Sequence, residues 1–185
     1  NRMSRLVRQL LSLARNEPGA VDGIDLQPVD LNALVVDVAM QWVPDALKRD
    51  IDLGFEPAPA TVMIRGEPDR LRELLNNLID NAVRYSRHGG HVTVAVSVSA
   101  LGEGQVSISD DSEKIPIEER HRVFERFHRL LGSHADGSGL GLAIVSEIAA
   151  LHQARITLEE DIDGIGNTFS IFFPLSDVMR SSDAS

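Results

Sequence analysis

One segment, residues 67–85, combines an apolar face with an unusual polar face. Its apolar residues recur at the three- and four-residue spacing of a helix. They are Leu71, Leu74, Leu75, Leu78, Ile79, Ala82 and Val83. At 100° per residue, six polar side chains fall within roughly 80° of one another. They are Arg70, Glu73, Asn77, Asp80, Asn81 and Arg84. A side-chain amide oxygen can ligate Mg²⁺ without adding negative charge beside a polyphosphate, so Asn77 and Asn81 indicate a cation site, with a solvated helix face as the alternative.

A glycine-rich stretch, residues 137–143, passes directly into an apolar segment. Glycines at the start of a helix let backbone N–H groups approach phosphate oxygens, and the helix N-terminus adds partial positive charge. The stretch therefore predicts a phosphate site, although it lacks the GxxxxGK[ST] pattern. A flexible linker is the alternative.

The densest positive charge lies between these two segments. It comprises Arg120, His121, Arg122, Arg126, His128 and Arg129, interleaved with Val123, Phe124 and Phe127. Runs of charge are usually solvated faces. Beside a glycine-rich loop, the same run also indicates a clamp on phosphates.

The composition excludes several classes of function. The chain has 185 residues, 28 acidic and 18 basic, with a net charge of −10. Such a chain is a poor general binder of nucleic acid or anionic membrane, so we expect neither as a partner. The absence of cysteine excludes disulfides and thiolate nucleophiles. No run approaches 18 apolar residues, so we expect no membrane-spanning helix in this sequence. Because the chain begins at Asn1, we expect it to be a piece of a longer protein.

The order of elements predicts an α+β fold. Helices are expected at about 30–49, 67–85 and 140–152, with 117–131 helical in part and 132–139 a loop. Strands are expected at 24–29, 51–56, 60–65, 92–98, 106–108, 156–158 and 169–173. This order favours a two-layer α/β sandwich, with a mixed, mostly antiparallel sheet covered on one face by helices.

Composition shifts divide the chain into four parts. Residues 1–15 have the periodicity of an amphipathic helix, 16–23 form a linker rich in helix breakers, 24–175 form the main domain and 176–185 a flexible tail. The apolar seam of 1–15 spans two heptads, which leaves a surface helix as probable as a coiled coil.

Taken in order, these segments resemble the catalytic and ATP-binding domain of bacterial two-component sensor histidine kinases. The resemblance covers about 24–174 and implies the Bergerat-type sandwich of that superfamily. Its N box matches 77–85, its F box 123–129, its second glycine box 137–142 and its last glycine box 166–169. Residues 1–15 look like the end of the family's dimerisation-hairpin helix.

The resemblance also implies roles for individual residues. Asn81 would ligate Mg²⁺, Asn77 and Arg129 would be catalytic, and Asp110 would read the adenine amino group. Further nucleotide contacts are implied for Arg84, Tyr85, Ile115, Arg126, Gly137, Gly139, Leu140, Gly141, Leu142 and Thr168.

One box departs from the family pattern. The usual Asp-x-Gly-x-Gly reads Asp110-Asp111-Ser112-Glu113-Lys114 here, so both glycines are replaced. If either position needed a left-handed backbone, the replacement would cost about 1 kcal/mol or more. Lys114 could fill the adenine pocket, turn to solvent, or pair with Asp110 or Glu113. We therefore expect weakened nucleotide binding, and a degenerate regulatory module without kinase activity is the alternative function.

The function implied by the resemblance is transfer of the ATP γ-phosphoryl group to a histidine of the dimerisation hairpin, for relay to a response regulator. None of the six histidines has the family's acceptor context, so that histidine is expected upstream. The parent would be a homodimer, and this part a cytoplasmic domain of an inner-membrane sensor. Related ATPases use a glutamate to activate water at the position of Asn77, and an amide cannot accept that proton. A third hypothesis, a dimerisation scaffold, rests only on residues 1–15.

Overall fold

The computed structural model describes residues 25–130, 138–160 and 164–175. Three helices are present in this part of the chain: α1 (Leu31–Leu47), α2 (Pro68–Tyr85) and α3 (Gly141–Leu151). The strands are β1 (Gln27–Asp30), β2 (Asp52–Glu56), β3 (Met63–Gly66), β4 (His91–Val98), β5 (Glu103–Asp110), β6 (Arg155–Glu160) and β7 (Asn167–Pro174). A short 3₁₀ turn covers Arg122–Phe124.

The main sheet has five strands in the order β2-β4-β5-β7-β6. β2 runs parallel to β4, and the other neighbouring pairs are antiparallel. β1 and β3 form a separate two-stranded antiparallel sheet. The predicted α+β class, with a mixed and mostly antiparallel sheet, is confirmed.

Strict alternation of side chains defines one buried face of the main sheet. Val92, Val94 and Val96 of β4 are buried, and so are their neighbours Val106 and Ile108 on β5. Side chains between them, mostly serine and threonine, are partly exposed. Because successive strand residues point to opposite faces, this pattern places the apolar core on one side. The three helices pack on that side, α2 against both α1 and α3.

Helix α2 begins where its local sequence predicts. Glu67 is the N-cap, and its carboxylate accepts hydrogen bonds from the backbone N–H groups of Asp69 at 3.1 Å and Arg70 at 2.8 Å. Pro68 occupies the first turn, where a missing N–H costs nothing. At the other end, the Arg49 guanidinium donates to the carbonyls of Arg84 at 2.7 Å and Ser86 at 2.9 Å. Both ends of the helix are therefore fixed.

Two helix predictions differ from the structure in extent. α1 ends at Leu47 rather than near 49, because the chain turns back there. The N–H of Asp50 donates to the Leu47 carbonyl at 3.1 Å, and Asp50 has a left-handed backbone with φ of 53°. In 117–130 the only helical element is the 3₁₀ turn. Phe127 has φ of 65°, which is incompatible with a helix.

Several predicted parts fall outside the described residues: the segments 1–15, 16–23 and 176–185, and almost all of the loop 132–139. The domain boundaries at 24 and 175 stay predictions. No helix in the described part of the chain is both long and apolar enough to cross a membrane.

Candidate functional site

The two faces of α2 separate as its sequence predicts. All seven apolar residues of the stripe are buried, and all six polar ones are partly exposed. The Asn77 amide donates to the Glu73 carbonyl at 2.8 Å, which directs its oxygen away from that carbonyl. A Cβ added at Gly141 would lie 3.1 Å from this oxygen. The Asn77 amide oxygen therefore faces the start of α3.

Glycines let the chain before α3 pass close to the 3₁₀ region. The Phe127 N–H donates to the Gly139 carbonyl at 2.8 Å. Gly139 has φ of 70°, and a Cβ there would lie 2.9 Å from the His128 carbonyl oxygen. No side chain fits at this position. Of the predicted residues here, Gly141 at the start of α3 lies next to Asn77, and Leu142 follows it in the first turn. Gly139 and Leu140 directly precede the helix, and Gly137 lies outside the described residues.

An aromatic contact and a salt bridge hold the basic run against the domain. The Phe124 ring packs edge-on against Phe169, with centroids 6.3 Å apart. Arg126 forms a salt bridge with Glu147 of α3 at 2.7 Å, and Arg129 is exposed. His128 and Arg122 both contact Glu119. Part of the predicted phosphate clamp is thus engaged with carboxylates in this structure.

Asp110 ends β5 and is only 3% exposed. Its Oδ1 accepts hydrogen bonds from the Ser112 backbone N–H at 3.0 Å and from the Ser112 hydroxyl. Burial raises the pKa of Asp110 above its ordinary value, and the bonds from Ser112 oppose that rise because they favour the carboxylate. A buried carboxylate fixed in this way can accept a hydrogen bond from a ligand.

The altered glycine box is accommodated without a left-handed backbone. Neither Ser112 nor Lys114 has positive φ, so the expected strain is absent. Lys114 is half exposed, and its ammonium lies 3.4 Å from the Glu160 carboxylate rather than beside Asp110 or in the pocket. Gly166 supports the turn from the other side: its φ is 95°, and a Cβ there would lie 1.8 Å from the Asp110 carbonyl oxygen.

The remaining predicted residues divide into two groups. Arg84 and Tyr85 continue the polar face at the end of α2, where Arg84 forms a salt bridge with Asp80. Ile115 is buried beside the Asp110 loop. Thr168 is not brought to these residues, because it contacts Ser109 at 2.8 Å and both lie on the sheet face opposite to Asp110.

Sequence reasoning missed Asn167, which is 1% exposed and pairs with Asp110 across the β5 and β7 ladder. Its amide donates to the Ser112 hydroxyl at 2.9 Å and accepts from the Ile115 N–H at 2.9 Å. Asparagine is depleted in strands, and its presence at the start of a strand with three phenylalanines was the available signal.

Comparison with known proteins identifies the family. Residues 66–177 match the family described as histidine kinase-, DNA gyrase B-, and HSP90-like ATPase. Sensor histidine kinase ZraS of Klebsiella oxytoca is 34% identical over 176 residues, which cover 95% of this chain and 36% of ZraS. The chain thus spans about a third of the length of the curated relatives it matches.

Solved structures agree with this match. The mycobacterial sensor histidine kinase MprB superposes with a TM-score of 0.69 at 29% identity, over 81% of this chain and 97% of that one. Full-length ShkA in complex with AMPPNP gives a TM-score of 0.75 at 26% identity, over 93% of this chain and 36% of ShkA. The resemblance and the Bergerat-type sandwich predicted from the motifs are confirmed. The chain belongs to the histidine kinase-, DNA gyrase B-, and HSP90-like ATPase family, as a catalytic ATPase domain of the histidine kinase type.

Proposed function

We propose that this domain binds ATP with Mg²⁺ and transfers the γ-phosphoryl group to a histidine on a separate helical hairpin. The observation that carries the proposal is the Asn77 amide oxygen at the start of α3, beside the glycines. Hydrolysis needs a group there that takes a proton from water, and an amide cannot do so. Asn77 thus favours positioning of the phosphates for a docked histidine over activation of water.

The phosphate end of the nucleotide would lie at the start of α3. The backbone N–H groups of Gly141 and Leu142 belong to the first helical turn, whose N–H groups have no partner within the helix. Their partial positive charge favours phosphate oxygens. Arg126 and Arg129 would add cationic charge from the adjoining run, with Arg129 at the terminal phosphate. At the opposite end, the buried Asp110 carboxylate would accept from the adenine amino group.

The donor set of α2 fits Mg²⁺ bound mainly through phosphates. The described residues contain no cluster of three or more histidine or acidic side chains that would hold a metal on their own. Mg²⁺ takes few protein ligands and completes its octahedron with waters and substrate phosphates. Asn81 lies one turn beyond Asn77 on the partly exposed polar face and would supply an amide oxygen. Bound there, Mg²⁺ would neutralise charge on the phosphates.

The relatives that the chain matches are sensor kinases, and this supports a proposal about the partners of the whole protein. We propose that residues 1–15 end the hairpin helix, that the parent is a homodimer, and that a response regulator takes the phosphoryl group from the hairpin. We also propose that this part is a cytoplasmic domain of an inner-membrane sensor. No observation favours the degenerate module, because the loop at Ser112 and Lys114 is unstrained.

Phosphotransfer in trans tests the proposal. The chain is incubated with Mg²⁺ and ATP labelled at the γ-phosphate, alone and with the separately produced hairpin of the parent protein. The expected result is acid-labile label on the hairpin and none on the chain, because no histidine here has the acceptor context. In the same assay Arg129→Ala should slow transfer to the hairpin, whereas Arg65→Ala, in the separate small sheet, is the control and should not. Stable phosphohistidine on the chain itself, or steady ATP hydrolysis without transfer, would contradict the proposal.

A further inference from the structure

A continuous hydrogen-bonded chain of three buried side chains lies at the end of β5. The Asn167 amide nitrogen donates to the Ser112 hydroxyl oxygen at 2.9 Å, and the Ser112 hydroxyl bonds Asp110 Oδ1. The Ser112 backbone N–H reaches the same carboxylate oxygen at 3.0 Å. Asp110, Ser112 and Asn167 are 3%, 7% and 1% exposed, so water does not compete for these bonds.

Donor chemistry fixes the direction of each bond in this chain. The Ile115 backbone N–H can only donate, and it lies 2.9 Å from Asn167 Oδ1. The Asn167 nitrogen must therefore face the other way, toward the Ser112 hydroxyl and the Glu113 carbonyl, which it reaches at 3.0 Å. Because the hydroxyl accepts from this amide, its single hydrogen is directed at Asp110 Oδ1. Asp110 Oδ1 therefore accepts hydrogen bonds from within the protein, and Oδ2 is the oxygen that can accept from a ligand.

We propose that Ser112 and Asn167 are positioning residues for the Asp110 carboxylate, and that the Ser112 hydroxyl sets the preference of the site for 6-aminopurine over 6-oxopurine nucleotides. The inference rests on the proposed function, in which Asp110 meets the purine. A 6-amino group can donate to Oδ2, whereas a 6-oxo group presents a second acceptor to a fixed carboxylate. A carboxylate held in place by Ser112 accepts the 6-amino hydrogen in good geometry, whereas the 6-oxo oxygen gains nothing from it and is left as an unpaired acceptor in a buried site.

The backbone of the loop indicates that serine at position 112 adds an interaction to the site and does not impair it. Ser112 does not adopt the left-handed conformation for which glycine would be needed. The Lys114 side chain is drawn outward by Glu160, to which Arg120 also forms a salt bridge at 3.4 Å. The loop is thus pinned on its outer side by charges and on its inner side by the Asn167 amide. Ser112 replaces the mobility of a glycine with a hydrogen-bond donor.

Calorimetric titration of ATP and of inosine triphosphate, which carries a 6-oxo group, tests the inference on the whole chain. For Ser112→Ala we expect ATP affinity to fall about tenfold, as for loss of a hydrogen bond to a charged group, with little change for inosine triphosphate. Ser112→Thr keeps the hydroxyl and should keep the preference. Ser97→Ala, at an exposed position on β4, is the matched control. If Ser112→Ala does not fold, Ser112→Cys provides the same comparison with a weak donor.

The role of Asn167 is tested by a double-mutant cycle. Because Asn167 holds the Ser112 hydroxyl and also favours the Asp110 carboxylate directly, Asn167→Ala should reduce the preference for ATP in the unchanged chain and have a smaller effect after Ser112→Ala. Three outcomes would overturn the inference while leaving the proposed function in place. They are equal affinity losses for both nucleotides, an unchanged ratio of ATP to inosine triphosphate affinity in Ser112→Ala, and additive effects of the two substitutions. Failure of the unchanged chain to bind ATP would overturn both.

Discussion

A buried histidine joins the two helices that form the phosphate end of the site. His152 is the C-cap of α3 and is 4% exposed. Its Nε2 lies 3.0 Å from the Glu67 backbone N–H, at the start of α2, and its Nδ1 lies 2.7 Å from the Ile148 carbonyl. Because a backbone N–H can only donate, Nε2 accepts and Nδ1 carries the proton. His152 is therefore held in one neutral tautomer.

Replacing His152 with alanine should destabilise the fold by about 2–4 kcal/mol at pH 7.5. The change removes two hydrogen bonds, leaves the Glu67 N–H without its acceptor and opens space beside Phe173, whose ring lies edge-on at 6.4 Å. Urea denaturation followed by circular dichroism measures the loss. His88→Ala is the matched control: His88 is 70% exposed and its Nδ1 lies 3.5 Å from the exposed Asp50 carboxylate, so its loss should stay within about 0.5 kcal/mol.

The stabilisation by His152 decreases as the pH falls. Burial lowers the pKa of His152 below its ordinary value of 6.5, so the unfolded chain takes up a proton at a higher pH than the folded chain does. The contribution of neutral His152 to the free energy of unfolding is complete above about pH 6.5. It is lost as the pH falls through 6.5 toward the pKa that His152 has in the folded chain. The difference between the unchanged chain and His152→Ala should therefore shrink between pH 7.5 and 5. Parallel curves over this range would refute the neutral, buried assignment of His152.

Three further predictions concern the nucleotide site. Gly166→Ala places a Cβ 1.8 Å from the Asp110 carbonyl oxygen at φ of 95°. Thermal denaturation should therefore show that the free energy of unfolding falls by at least about 2 kcal/mol, and ATP should bind more weakly. A free energy of unfolding within about 0.5 kcal/mol of the unchanged chain would show that the turn relaxes freely. Asn81→Ala should remove the Mg²⁺ dependence of ATP affinity with little effect on melting temperature, because Asn81 is on the polar face of α2, and an unchanged Mg²⁺ response in calorimetry would exclude it as a ligand. Arg129→Ala should slow phosphotransfer to a supplied hairpin far more than it weakens ADP binding, since ADP lacks the terminal phosphate, and equal losses in both assays would indicate a structural role.

Local signals made parts of the fold predictable. The sequence predicts helix α2 to within one residue, because the proline at position 68 and the apolar period that follows it are local features. The β4 and β5 hairpin was predicted for the same reason, from alternation and a short turn. The pairing of β2 with β4 could not be predicted from local patterns, because β3 and α2 lie between these two strands in the chain.

The site itself depends on contacts between distant parts of the chain. Lys114 pairs with Glu160, and Asn167 holds the loop at Ser112, across 46 and 55 residues of sequence. No local pattern contains either contact. The placement of Thr168 was readable in principle, since it precedes the buried Phe169 in a strand whose alternate residues face opposite sides.

Titration of ATP into the purified chain, with and without Mg²⁺, tests most directly whether α2, α3 and the Asp110 loop form a nucleotide site. We expect one saturable site whose affinity for ATP is raised by Mg²⁺ and lowered by Asp110→Asn, while Ser97→Ala leaves it unchanged. A folded chain that binds no ATP in the presence of Mg²⁺, or that binds it equally well after Asp110→Asn, would contradict this assignment of the site.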